Sequence, residues 1–184
     1  MSQPENIRHS AVARFMHWLM AACVLVLLAT GLLPVVGVEF NWVPIHWVAG
    51  LVLALCVLIH ILRSLAPSRL KQIWFRARDL QAAMTNAVAG KYSLAQKLMH
   101  NAVAVLGLGV VVTGCLMLLK IDTPLWERNP YFLSEQTWGV IYAVHGFCAL
   151  SFLSLVMLHI YFSLRPEKRA YLQAMLKAGP GPQS

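Results

Sequence analysis

Histidine is the residue type in this chain whose placement asks for chemistry. The stretch "YAVHGFCALSFLSLVMLHIYF", residues 142–162, has no Asp, Glu, Lys or Arg yet contains His145 and His159. The two are fourteen residues apart, which in an α-helix is about 21 Å of rise and about 3.9 turns. They therefore face nearly the same side at two depths. Ionisable groups inside a bilayer are costly and turn toward the bundle interior with a partner. That partner is another side chain, a proton pathway or iron.

The other histidines bear on the choice. His46 enters its helix at the level of His145, and His17 enters at the level of His159, so two stacked pairs result. Porphyrin iron takes two axial ligands from opposite faces, and imidazoles on facing helices supply both. The sequence thus has ligands for two haems b, one near each membrane surface. His46 and His60 are also fourteen apart, so the second and fourth helices alone could hold both haems, as in the cytochrome b of the respiratory bc1 complex. Periodicity leaves open whether His17 or His60 opposes His159. Gly31 lies fourteen residues beyond His17, and Gly114 fourteen beyond His100. A residue without a side chain lets a flat macrocycle approach the backbone; equally, glycine helps membrane helices pack. Cys23, Cys56, Cys115 and Cys148 show no metal-ligand spacing and read as buried structural thiols.

These residues need helices to hold them at depth. Of the 184 residues 59% are hydrophobic and 12% charged, with a mean hydropathy of +0.64, far from the usage of a soluble domain. Four apolar stretches approach or exceed the roughly 20 residues that cross a bilayer. They predict helices at about 12–37, 41–64, 95–119 and 138–164 in a single all-α, membrane-embedded four-helix bundle. The first is too long for a signal-peptide core and lacks a cleavage site, so it is expected to remain in the mature protein. "SRLKQIWFRARDLQAAMTNAVAGKYS" suits an interfacial amphipathic helix at about 69–89 or an ordinary connector. "GPGPQS" at 179–184 reads as a disordered tail, and no internal repeat is evident. All Lys and Arg except Lys120 and Arg128 fall in the N-terminal segment, the 63–97 loop or the C-terminal tail, which predicts cytoplasmic termini. The net charge of +8 reports this topology and attraction to anionic lipid, not a nucleic-acid surface.

"RFMHW" with Gly31 downstream, "IHWVAG", "GKYSLAQK" with "VVTG" after it, and the fourth-helix stretch quoted above closely resemble the cytochrome b (gamma) subunit of respiratory formate dehydrogenases. Its relatives are the cytochrome b subunits of nickel-iron hydrogenases and the prokaryotic cytochromes b561. The resemblance runs from about Arg14 to Met175. It implies an inner haem held by His17 and His159 and an outer haem held by His46 and His145. It also implies a quinone site, for ubiquinone or menaquinone, on the cytoplasmic side near the start of the third helix, which points to Gly90, Lys91, Tyr92, Ser93, Gln96 and Lys97. Ser93 stands where the family pattern has Asn, and His60 and His100 replace apolar residues of that pattern.

The expected function is an electron-transfer subunit of an oxidoreductase complex. A periplasmic dehydrogenase or iron-sulfur subunit, docking on the outer loop "KIDTPLWERNPYFLSEQT", supplies electrons that leave to quinone on the inner side. A self-sufficient cytochrome b561 exchanging electrons between superoxide and quinone, a hydrogenase cytochrome b, and a haem-free transporter are the alternatives. Arg14, Arg63 and Arg165, at the cytoplasmic ends of helices, are candidates to pair haem propionates, although positive-inside topology alone would put them there. His100 shares a helix face with Gln96 and is a candidate to bond a quinone carbonyl and relay a proton, or else an interfacial structural histidine.

Overall fold

The computed structural model describes residues 10–64 and 94–177. The segments predicted as an interfacial helix and a disordered tail, together with Gly90, Lys91, Tyr92 and Ser93, lie outside the described residues. The described chain is all-helical: α1 (Ala11–Leu32), α2 (Trp42–Ser64), α3 (Leu94–Met117), α4 (Glu135–Leu164) and a short α5 (Arg169–Leu176). Four of these helices are long and apolar enough to cross a membrane. The chain separates into two compact units, one of residues 1–49 and 153–184 and the other of residues 50–152.

In the first unit, α1 begins where the Ser10 hydroxyl accepts the Ala13 amide at 3.2 Å, filling one of the open donors of a helix start. It stops before Pro34, which has no amide to continue the ladder. A short 3-10 turn, Pro34–Val36, then leads to Gly37 at φ 88°, a left-handed conformation that glycine adopts without strain. The Val38 amide closes back on the Leu33 carbonyl at 3.0 Å. At the other end, the Trp18 indole donates to the Met175 carbonyl of α5 at 3.1 Å, tying the last helix to the first. The apolar pattern did not predict α5, because Pro166 and the charges after it read as a tail. Ala174 is its buried residue.

In the second unit, α3 and α4 run close through small side chains. A Cβ on Gly107 would meet Phe152 at 3.4 Å, one on Gly109 would meet the Cys148 sulfur at 2.9 Å, and one on Gly114 would meet His145 at 3.4 Å. His145, Cys148 and Phe152 follow one another at three and four residues, so they form one face of α4. Close approach through small residues suits membrane helices, where lipid removes the hydrophobic drive to associate. Three of the thiols, Cys23, Cys56 and Cys148, are buried; Cys115 is exposed, against the expectation that all four are, because it lies on a different face of α3 from Gly109 and Thr113.

The α3–α4 loop, expected as a docking surface, is folded as a cap. The Trp126 indole donates to the Leu118 carbonyl at 3.0 Å, and the Arg128 amide to Asp122 at 3.0 Å. The Asn129 amide reaches the Leu119 carbonyl at 2.7 Å. The loop ends in Ser134, whose hydroxyl accepts the Thr137 amide at 3.2 Å as α4 starts. Trp138 is fully enclosed and donates to the Pro130 carbonyl at 2.9 Å. The Lys120 ammonium sits 5.2 Å from the Trp138 ring and 5.5 Å from the Tyr142 ring, a cation–π arrangement, and 3.8 Å from Glu135. Leu125, Tyr131 and Phe132 point outward from the same loop.

The glycines divide into those that set helix spacing and those that do not. Gly109→Ala is expected to lower thermal stability in detergent by about 1–3 kcal/mol, the cost of overpacking. Gly139→Ala, with nothing within 4 Å of the new methyl, is expected to leave stability unchanged or raise it by up to about 1 kcal/mol. Unfolding followed by circular dichroism ranks the two.

Candidate cofactor site

Within the first unit, His17 near the start of α1 and His159 near the end of α4 bring their rings together. The centroids are 6.2 Å apart, with planes at 58°. Two imidazoles sharing one metal, each with a nitrogen about 2 Å from it, have centroids roughly 6 Å apart. The separation of this pair therefore fits iron between two axial ligands. Trp18 stands edge-on to His17 at 5.4 Å.

His46, in the first turns of α2, belongs to the same unit. Its Nδ1 is 2.8 Å from the hydroxyl of Thr30 on α1. The Thr30 hydroxyl also lies 2.7 Å from the Val26 carbonyl. A Cβ on Gly31 would lie 3.6 Å from the His46 Cε1, so what stands against Gly31 is the imidazole edge. Trp42 stands edge-on to His46 at 6.0 Å.

The second unit repeats this construction. His145 Nδ1 is 2.8 Å from the hydroxyl of Thr113 on α3, and that hydroxyl lies 2.6 Å from the Gly109 carbonyl. Gly114 faces the His145 ring. The same unit holds a further pair, His60 near the end of α2 and His100 near the start of α3, with centroids 6.3 Å apart and planes at 55°. Its separation is nearly that of the His17–His159 pair. Thus His159 has His17 as its ring neighbour, and His60 has His100.

The remaining candidates are placed as follows. Arg14 is half-buried, and Arg63 and Arg165 are exposed. The Arg165 guanidinium lies 3.3 Å from Glu167, an exposed ion pair of little energetic weight. Gln96 is in α3, with its side chain outside the described residues. Lys97 is buried at 6% exposure, and its carbonyl accepts the Asn101 side-chain amide at 2.9 Å. Among the described residues no cluster of three or more His, Cys, Asp or Glu is assembled; the histidine rings that meet do so in pairs.

Thr30 and Thr113 were not singled out from the sequence. Their signal was present: a Thr-Gly dipeptide stands thirteen residues after a histidine in both α1 and α3. That is a local repetition shared by the two helices.

No curated protein matches the chain. The family model for prokaryotic cytochrome b561 matches residues 8–178, nearly the whole length and all four spans, and the family implies haem b. The paired imidazoles in apolar helices are the donor set such a cofactor needs. The chain belongs to the prokaryotic cytochrome b561 family, membrane cytochromes b of electron transfer.

Proposed function

We propose that the chain moves electrons across the membrane between a redox partner at the face of the α3–α4 loop and a quinone at the opposite face. The observation that carries this reading is the cytochrome b561 family match over residues 8–178, with the His17–His159 pair at 6.2 Å in its support. In this reading His17 and His159 hold one b haem and His46 and His145 a second, the latter assignment resting on the sequence resemblance. When bound, each supplies a one-electron iron couple whose potential is tuned by its ligands and surroundings. The chain itself oxidises no organic substrate. The basic ends of the helices face the cytoplasm, with both termini there.

The quinone lies near the start of α3. Gly90, Lys91, Tyr92, Ser93 and Gln96 are its candidate contacts from the sequence resemblance. Lys97, buried in the first turn of α3, and His100, ring to ring with His60, support a polar site at that level. An imidazole pair can hold a proton on one ring and accept it on the other. Arg14, half-buried, is a candidate partner for a haem carboxylate, as are Arg63 and Arg165.

The donor side is read from the cap. Leu125, Tyr131 and Phe132 are outward-facing, with Tyr131 at 90% exposure, and aromatic residues of this kind anchor protein contacts. A formate dehydrogenase-like partner is the first choice. A second reading compatible with the same family is a self-contained cytochrome b561 that exchanges electrons between superoxide and quinone. Co-purification of a dehydrogenase with the membrane chain separates the two.

Haem assignment has a direct test. His159→Ala and His17→Ala are each expected to remove the same haem, and His145→Ala the other, read as haem per protein in reduced-minus-oxidised spectra. Full haem content in all three variants removes the reading.

The quinone side is tested by His100→Phe. Haem content and reduction by an artificial donor are expected to be unchanged, while quinone turnover falls about ten- to a hundredfold, the range for losing a positioned proton donor. Parental turnover makes His100 structural.

A further inference from the structure

The two threonine–imidazole contacts are built alike. A hydroxyl has one proton to give. In Thr30 that oxygen is 2.7 Å from the Val26 carbonyl, and in Thr113 it is 2.6 Å from the Gly109 carbonyl. A carbonyl only accepts, so the proton of each hydroxyl is committed to the helix backbone. Toward the imidazole at 2.8 Å each oxygen then offers a lone pair, which favours the proton on Nδ1; the Val110 carbonyl is a further acceptor beside the His145 ring. The Nε2 nitrogen of His46 and of His145 is thereby left as the basic one, the form in which imidazole binds a metal.

We propose that Thr30 and Thr113 are positioning residues that select the Nδ1–H tautomer of His46 and His145 and set how strongly each imidazole donates to iron. The inference rests on the ligand assignment above. An acceptor on the far N–H of a ligating histidine fixes its ring and raises its basicity. A more basic axial ligand favours ferric over ferrous iron and so lowers the potential.

Three observations support the pairing beyond ordinary back-bonding of threonine to its own helix. Both threonines are buried, at 4% and 8% exposure, so water does not compete for the hydroxyl. Each is followed by a glycine that faces the same ring, with a Cβ on Gly31 3.6 Å from His46 and one on Gly114 3.4 Å from His145. The dipeptide acts as a seat, one residue bonding the imidazole and the next making way for its edge. Finally, the seat occurs once in each unit although the connecting chain differs in length, with 16 residues from Thr30 to His46 and 32 from Thr113 to His145. A local sequence accident would not survive that change.

The test is a redox titration of the purified full chain carrying Thr113→Val, Thr113→Ser, Thr113→Ala or Thr30→Val, with His145→Ala in the same series. Each valine variant is expected to raise one and the same midpoint potential, by about tenfold in the one-electron equilibrium or about 59 mV. The other potential stays put, and Thr113→Ser stays near the parent. If the valine variant loses a haem instead, retention in Thr113→Ser with loss in Thr113→Ala supports the same role. Parental potentials in both valine variants, or a serine variant that shifts as far as valine, overturn the proposal. His145→Ala separates the two levels: loss of one haem leaves the ligand assignment standing whatever the threonines do, and retention of both removes the assignment on which the seats depend.

Discussion

An apolar solvent gives a buried polar group nowhere to turn except to another group of the chain, and the interior of this protein is organised around that constraint. The imidazoles are its clearest cases. His46 and His145 each meet a threonine hydroxyl at 2.8 Å, and each hydroxyl is itself satisfied by a backbone carbonyl of its own helix. Helix spacing follows from the same contacts. For α3 to present Thr113 to His145, the two backbones must come close, and Gly107, Gly109 and Gly114 are where the side chains of α4 use the room. Chemistry and packing on this face are one arrangement.

Much of this was legible in the sequence because it rests on period and length. Runs of about 20 apolar residues define spans whatever their neighbours, and a fourteen-residue separation puts His145 and His159 on one side of any regular helix. The family resemblance placed the chain within its wider group, and the His17 ring it paired with His159 is the ring neighbour of His159. What escaped depends on contacts between distant segments. Thr30 and Thr113 look like ordinary membrane-helix threonines until the imidazole opposite is seen. The folding of the cap was not legible because its bonds, such as Trp126 to Leu118 and the Arg128 amide to Asp122, leave no hydrophobic period. Helix α5 was hidden by its polarity, since it is held by the Trp18 indole rather than by an apolar face long enough to read. Lys97 was singled out through the resemblance, but its burial was not legible, since a cation at a helix start is ordinarily exposed.

The clamp around Trp138 has a mechanical consequence. Its indole is fastened to Pro130, with Lys120 stacked over its ring and close to Glu135, so the start of α4 is referenced to the cap and to the end of α3, not to the lipid headgroups. His145 follows Trp138 by seven residues, two turns further along the same helix. Helices that depend on the bilayer for their height tilt or slide when its thickness changes. Here the depth of His145 is measured from a protein datum, so membranes of different thickness would carry its imidazole at one fixed distance below the cap.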